Sequence, residues 1–168
     1  TVHKRREVYP RIKGVIAISE FVRHEIQYPA ARVVYNGCDH MPDRGPKGPN
    51  SARKPGEPLV VGTLTRLGTG EAHYKGGHHF QLLKAACDRQ GLPVRFEIMG
   101  RGDEEDAASF REQGITVHLN ADESEKTAYL RRLDLFVSCS QWEGFNLPLV
   151  EAQALGTAAM AFDVGAHP

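Results

Sequence analysis

The chain has 168 residues, of which 40% are hydrophobic and 25% charged, so it can bury the core of one ordinary globular domain. Its 21 basic and 21 acidic residues leave no formal net charge, which removes the general electrostatic reason to expect nucleic acid or an anionic membrane surface as a partner. No apolar run approaches the length of a membrane-spanning helix and no signal-peptide pattern opens the chain, so we expect a soluble cytoplasmic protein.

The first part of the chain predicts one βα unit and a further strand. Residues 14–19 (GVIAIS) have the composition of a buried strand, Ser19 is placed to cap a helix over EFVRHEI, and RVVYN follows as a second strand. Residues 36–57 are rich in Gly and Pro and lack any apolar period, which is typical of a linker. We therefore divide the chain into residues 1–40, a linker at 41–57 and a domain at 58–168.

From residue 58 onwards, short β-rich runs alternate with helical patterns. The predicted strands are PLVVGT, VRFEIMG, ITVHLN, LDLFVS and TAAMAFD. The helices between them include one over about 77–90, one opened by an Asp122/Glu125 capping box, and one that begins at an Asn146 N-cap. The alternation predicts the α/β class, as a Rossmann-like, mostly parallel sheet with helices on both faces.

Candidate binding residues follow the strands, where parallel sheets bind their ligands. Arg66 and Lys75 follow the first strand of the domain, and a guanidinium with an ammonium suits a diphosphate. The alternative is that both residues are solvated loop cations that bind no ligand. Gly100 and Gly102 follow the second strand, but Glu105 replaces the third Gly of a dinucleotide fingerprint, so a nicotinamide site is not predicted.

The sequence does not favour a metal-binding site. The acidic run at 103–106 (DEED) is more typical of a solvated helix opening than of a divalent-ion site. His73, His78 and His79 lie near Lys75, yet His78 and His79 are neighbours on a helix and are expected to point in different directions, and no third ligand is evident. The three cysteines are widely spaced, which favours buried thiols over a disulfide or zinc site.

Two carboxylates stand eight positions apart in residues 140–156, SQWEGFNLPLVEAQALG. On one continuous helix Glu143 and Glu151 would be about 12 Å apart, too far for shared acid-base work on one bond. Gly144 interrupts that helix, so Glu143 lies in the loop before it and Glu151 lies within it. We expect them to accept hydrogen bonds at two depths of one cleft, as an elongated hydroxyl-rich ligand requires.

The segment EGFNLPLVEAQALGTAAMAFDVGAHP resembles the signature of the retaining glycosyltransferases of family 4, also called group 1. VVYNGCDH, VGTLTRL, YKGG and FEIMGRGDEED resemble other segments of that family in the same order. The resemblance covers the chain from about residue 14 to its end. It implies the carboxy-terminal, donor-binding half of a GT-B fold, with residues 1–40 as the tail of the amino-terminal domain and the carboxy end truncated.

The resemblance implies a transferase that moves a sugar, hexosyltransferase-like, from a nucleoside-diphosphate sugar to an acceptor. Arg66 and Lys75 would hold the diphosphate and Glu143 would contact the transferred sugar, which makes these three the expected catalytic residues. Catalysis would then rest on charge stabilisation, with no metal and no other cofactor. Lys75 lies nine positions after Arg66, farther than is usual in the family, so GTGEAHY resembles an insertion.

The family's donor contacts carry over to further positions. Glu151 would bind the ribose hydroxyls, and the nucleotide pocket and the backbone contacts to sugar and phosphate would come from Gly100, Gly102, Gly144, Phe145, Asn146 and Leu147.

The partners implied are a UDP-, GDP- or ADP-sugar and a saccharide, lipid-linked or small-molecule acceptor, with no nucleic acid. We expect the isolated chain to be inactive, and residues 1–35 either to pack on the main domain or to self-associate. The full-length protein is compatible with peripheral attachment to the inner face of the membrane. Alternatives are a sugar-nucleotide epimerase or phosphorylase on the same fold, or a non-catalytic nucleotide-sugar-binding domain.

Overall fold

The computed structural model describes residues 4–41, 54, 56–68 and 70–167. Its centre is a five-stranded sheet in which all neighbouring strands run parallel. In chain order the strands are β3 (Leu59–Arg66), β4 (Val94–Arg101), β5 (Thr116–Leu119), β6 (Leu135–Ser138) and β7 (Ala158–Ala161). Their spatial order is β5-β4-β3-β6-β7. The helices are α1 (Glu20–Ile26), α2 (Gly77–Arg89), α3 (Glu104–Glu112), α4 (Glu123–Arg132) and α5 (Leu147–Ala154). This is the predicted Rossmann-like α/β architecture.

Helices cover both faces of the sheet and form two cores. One core contains Phe80 of α2 and Phe110 of α3, packed against Phe96 and Ile98 of β4. The other contains Tyr129, Leu130 and Leu133 from α4 and its end, with Ala152 and Leu155 from α5 and its end. Because β4 contributes residues to both cores, it is buried without interruption from Phe96 to Gly100, as in a strand covered on both faces, and this stretch includes the charged Glu97.

The order of the strands creates a crevice at one edge of the sheet. From β3 the chain moves outward to β4 and β5, and then returns to the other side of β3 to form β6 and β7. The connections on the two sides of β3 therefore diverge, and in open α/β sheets ligands bind in the crevice at such a switch point. This places the carboxyl ends of β3 and β6 beside the site described below.

The helix starts agree with the sequence. Ser19 caps α1 by accepting from the Val22 N–H at 3.1 Å, and Asn146 caps α5 by accepting from the Leu149 N–H at 3.3 Å. Asp122 and Glu125 form the predicted capping box of α4. Each cap satisfies a backbone N–H that has no partner within its helix.

The strands of the first unit are shorter than predicted. β1 is only Ile16–Ala17 and β2 only Arg32–Val33, in a two-stranded parallel sheet separate from the main one. Within the described residues the two strands pair only with each other. A pair without a further neighbouring strand gains little stability from additional residues, so both strands stay short. In contrast, β3 extends beyond the predicted PLVVGT to Arg66, because it pairs with β4 along its whole length.

The first unit packs against the main domain near the loop before α5. The Ser19 hydroxyl donates to the Gly144 carbonyl at 2.6 Å, and Phe21 of α1 meets Trp142 edge to face at a centroid distance of 6.0 Å. The predicted linker at 41–57 lies outside the described residues except for Met41, Lys54, Gly56 and Glu57. Within the described part of the chain, none of the helices is both long and apolar enough to cross a membrane.

Candidate functional site

A cavity of about 440 Å³ lies at the carboxyl edge of the sheet, over the switch point. Four of the residues singled out in the sequence line it together: Arg66, Lys75, Glu143 and Glu151. They are separated by up to 85 positions in the chain, and the sheet topology brings them to one place. These four residues therefore supply the cavity with two cations and two nearly buried carboxylates.

Arg66 ends β3 and lies opposite Arg101, which ends β4, in the register of the two strands. Both residues are exposed and both line the cavity. Two guanidiniums at adjacent strand ends create a local positive edge in a chain that has no net charge. Arg101 was not among the residues predicted, although its position directly after the FEIMG run could have indicated it.

Lys75 is the last residue of a 3₁₀ turn, Gly70–Lys75, and its place depends on Gly76. Gly76 has a φ of 77°, and a Cβ atom built there would lie 1.9 Å from the carbonyl oxygen of Cys139. Only glycine fits both the left-handed backbone and this close approach. The turn can thus pack tightly against the end of β6 and present Lys75 to the cavity.

Lys75 forms an ion pair with Glu143 across the cavity. The ammonium Nζ donates to Oε1 at 2.8 Å and to Oε2 at 2.9 Å, so both carboxylate oxygens are engaged. The Glu143 backbone is held as well, because its carbonyl accepts from the Ala166 N–H at 2.9 Å. The expected phosphate-binding and sugar-binding side chains therefore neutralise each other in this structure.

Asn146 anchors the start of α5 at the cavity wall. Its Oδ1 caps the helix, while its Nδ2 donates to the Ser138 hydroxyl at 2.7 Å and lies 2.9 Å from Nε2 of His167. The Nδ1 of His167 is 2.6 Å from the carbonyl of Phe162, to which it can only donate. Nε2 of a neutral His167 is then an acceptor, so every polar atom of the Asn146 amide is paired. The N-terminus of α5 is thereby fixed at the cavity, where it favours anionic groups.

Glu151 is 1% exposed and is held by two donors on a single oxygen. Oε1 lies 2.7 Å from Nε2 of His40 and 3.0 Å from Nζ of Lys126. Burial opposes the charge of Lys126, but hydrogen bonds to Glu123 and Glu151 outweigh it and raise the pKa of the ammonium. Lys126 thus stays protonated beside the carboxylate.

The remaining predicted residues are divided between the cavity and its surroundings. Gly100, Phe145 and Leu147 line the cavity, as does Asn146. Gly102 instead lies against Leu67 and Asp106, and Gly144 lies against Val22 of α1 and Trp142. These two glycines shape loops next to the cavity and do not form its wall.

Two residues that touch Glu151 were not predicted from the sequence. Lys126 lies on α4 one turn after the Asp122 cap, and a helix that follows the carboxyl end of a strand starts near the ligand edge. Its position in the first turn of α4 could therefore have indicated Lys126 as a site residue. His40 ends the VVYNGCDH segment, but nothing in the sequence pairs it with Glu151, which lies 111 positions away.

The histidine cluster and the acidic run lie outside the cavity lining. The rings of His73 and His78 are stacked at 4.6 Å and those of His78 and His79 lie 3.8 Å apart. Burial and the neighbouring imidazoles lower the pKa of His78. Asp103 opens α3 as its N-cap, in a capping box with Asp106. Among the described residues, no group of three or more His, Cys, Asp or Glu side chains is arranged to hold a metal ion.

Comparison with known proteins provides a family match over most of the chain. The model of the family described as "Glycosyl transferases group 1" matches residues 60–168. A 38-residue stretch of the chain is 53% identical to the lipopolysaccharide core biosynthesis mannosyltransferase LpsB of Rhizobium meliloti (strain 1021). That alignment covers 23% of this chain and 11% of LpsB.

Solved structures share the fold at low sequence identity. HepE from Anabaena, crystallised with UDP and glucose, is 21% identical with a TM-score of 0.68, over 91% of this chain and 45% of HepE. A TarM structure is 21% identical with a TM-score of 0.66, over 94% of this chain and 31% of TarM. The galactosyltransferase WaaB is 18% identical with a TM-score of 0.65, over 95% of this chain and 45% of WaaB. The chain thus spans less than half the length of each protein, and at these identities the likeness shows the fold alone.

Proposed function

We propose, from the premise that this chain belongs to the group 1 glycosyl transferases, that its cavity binds a nucleoside-diphosphate sugar as the donor of a retaining, family 4 sugar transfer. One observation carries the proposal. Basic side chains that include Arg66 and Lys75, two nearly buried carboxylates and a helix N-terminus meet at the switch point of a Rossmann-like sheet. This set matches a ligand that has a diphosphate between two groups rich in hydroxyls.

Arg66 and Lys75 bind the diphosphate in this proposal. A planar guanidinium can grip two phosphate oxygens, an ammonium acts as a point charge, and the start of α5 adds the positive end of its dipole. When the glycosidic bond to the diphosphate breaks, negative charge increases on the leaving group. Cations already fixed beside it stabilise that charge without a metal ion.

Glu143 and Glu151 bind the two ends of the donor. The ammonium of Lys75 turns partly towards the phosphate when donor binds, which frees oxygens of Glu143 to accept from hydroxyls of the transferred sugar. Glu151 accepts from the ribose, and Gly100, Phe145, Asn146 and Leu147 complete the wall. Gly102 and Gly144 act indirectly, by allowing the neighbouring loops to approach.

Two of the similar structures contain uridine nucleotides. HepE was crystallised with UDP-glucose, and TarM from S. aureus was crystallised, as a variant, with UDP and saccharides. We therefore expect a UDP-hexose first, with GDP- and ADP-sugars as alternatives, and a saccharide acceptor. Because the chain spans less than half of each of these structures, we expect it to bind donor without sustained transfer.

Two substitutions separate the phosphate contact from the ribose contact. Arg66→Ala should weaken UDP and inorganic pyrophosphate about 10- to 150-fold, because a hydrogen bond to a charged group contributes about 1.5–3 kcal/mol. Glu151→Ala should weaken uridine and UDP alike and leave pyrophosphate unchanged. Isothermal titration calorimetry measures all three ligands, with Arg89→Ala and Glu112→Ala as controls at exposed helical positions.

The opposite pattern would contradict the assignment. If Glu151→Ala abolished pyrophosphate binding and left uridine unchanged, the second carboxylate would not be the ribose contact. If Arg66→Ala behaved like Arg89→Ala with every ligand, Arg66 would not bind the diphosphate.

A further inference from the structure

We propose that His40 and Lys126 are positioning residues, which hold Glu151 by one carboxylate oxygen and reserve the other for a vicinal diol. This inference rests on the proposed function, since it takes Glu151 as the ribose contact. It adds to the site two residues that lie far apart in the chain and assigns each carboxylate oxygen a separate role.

The asymmetry of the contacts carries the inference. Both donors, Nε2 of His40 at 2.7 Å and Nζ of Lys126 at 3.0 Å, are on Oε1 of Glu151. Within the part of the chain that the structure describes, Oε2 has no hydrogen-bond partner, although the side chain is only 2% exposed and lines the cavity. A buried carboxylate oxygen without a partner is costly, so Oε2 is suited to receive donors from a ligand.

The hydrogen-bonding capacity of a carboxylate specifies the kind of ligand group. Each oxygen has two lone pairs, and two protein donors saturate Oε1. Oε2 can therefore accept two hydrogen bonds that converge on one point. Two hydroxyls on adjacent carbons, such as the 2′ and 3′ hydroxyls of ribose, supply such a convergent pair of donors.

Both positioning side chains are themselves held in place. Lys126 bridges two acids, at 2.7 Å from Glu123 and 3.0 Å from Glu151, and its side chain is 15% exposed. His40 precedes Met41, which is 3% exposed and packs in the core beside α4 and α5. The burial of Met41 therefore fixes the backbone next to His40, whose own side chain is 46% exposed.

The contacts of Glu143 differ from those of Glu151, which supports separate roles for the two carboxylates. Lys75 engages both oxygens of Glu143, so a ligand must displace a protein contact there. At Glu151 a diol can bind without displacing either donor. The site is thus preorganised for the ribose end of the donor, which reduces the entropy lost on binding.

The test compares ligands with and without the diol. Calorimetry is carried out with UDP, GDP and ADP, with their 2′,3′-dideoxy analogues and with pyrophosphate, on the whole chain. We expect the wild-type protein to favour at least one diphosphate over its dideoxy analogue by about tenfold or more, as for hydrogen bonds to a charged group. In the double variant His40→Ala/Lys126→Met that ratio should fall below about threefold, with pyrophosphate affinity unchanged.

Conservative and remote variants exclude a purely structural explanation. Lys126→Arg and His40→Gln each keep an N–H donor near Oε1 and should retain most of the diol preference. His24→Ala on α1 and Lys84→Met, where the ammonium pairs with Asp88, alter the same residue types away from the cavity and should leave the ratio unchanged. Circular dichroism confirms that each variant is folded at the temperature of titration.

Distinct outcomes separate this inference from the proposed function. A double variant that keeps the wild-type preference for the diol would overturn the positioning role while leaving the donor site intact. An equal loss for pyrophosphate and UDP would also overturn it, by showing general damage. If the wild-type protein bound none of the three diphosphates, the proposed function would fail first and this inference with it.

Discussion

The Lys75–Glu143 ion pair allows a quantitative prediction for the unliganded protein. The Glu143 side chain is 8% exposed and that of Lys75 26% exposed, so Lys75→Met leaves a nearly buried carboxylate without its cation. Breaking a fully buried pair in this way costs about 3–5 kcal/mol. Because water reaches the lysine side of the pair, we reduce the expected loss to about 2–3 kcal/mol.

Thermal unfolding followed by circular dichroism measures this loss. For a domain of this size each kcal/mol shifts Tm by about 2–4 °C, so Lys75→Met should lower Tm by about 4–12 °C. Lys84→Met removes a surface pair whose acid, Asp88, is 57% exposed, and should cost less than about 1 kcal/mol. Adding Glu143→Gln to Lys75→Met should recover part of the lost stability, because no buried charge then remains unpaired.

Equal Tm values for Lys75→Met and Lys84→Met would refute this reasoning. Such a result would mean that Glu143 is solvated or paired in another way, and that the two side chains do not neutralise each other before donor binds.

Two further predictions concern stability. Gly76→Ala should destabilise the fold by more than the about 1–2 kcal/mol that a left-handed backbone costs a residue with a Cβ, because this Cβ would also meet the Cys139 carbonyl. Gly91→Ala is the control, since Gly91 has a φ of 62° and nothing lies within 4 Å of its added Cβ. Urea unfolding of Gly91→Ala therefore gives the backbone cost alone. Equal losses at both glycines would exclude the steric clash. Burial raises the pKa of Glu97, but hydrogen bonds from Arg132 and His118 outweigh it and hold that pKa below its ordinary value. A carboxyl group whose pKa is lower in the folded than in the unfolded state stabilises the fold above its unfolded pKa. It loses this contribution as the pH falls through its folded pKa. The stability of the wild-type protein should therefore decline below about pH 4.5 more steeply than that of Glu97→Gln. Parallel urea midpoints from pH 3.5 to 7 for the two proteins would contradict this.

The sequence predicted the main fold because the signals were local. Strand and helix alternation identified all five strands of the sheet, and Ser19, Asp122 and Asn146 marked the starts of three helices through caps that act within one turn. Parallel topology then placed residues that follow the strands at one edge. Local patterns were therefore sufficient to indicate the region of the site.

The contacts within the site were not predictable in the same way. His40 and Glu151 are 111 positions apart, and Lys75 and Glu143 are 68 apart, so no periodic pattern connects them. The two glycines of MGRG also differ in place, because Gly100 lies in β4 at the cavity while Gly102 follows the strand and packs against Leu67. Such pairings depend on tertiary packing, as did the short lengths of β1 and β2.

The most direct test of the donor-binding proposal is a calorimetric titration of the whole chain with UDP, GDP and ADP and with their glucose and mannose conjugates. We predict saturable binding, one ligand per chain, of at least one nucleoside diphosphate, and loss of most of that affinity in Arg66→Ala but not in Arg89→Ala. If no member of the panel bound, or if binding were insensitive to Arg66, the cavity at the switch point would not be a nucleotide-sugar site.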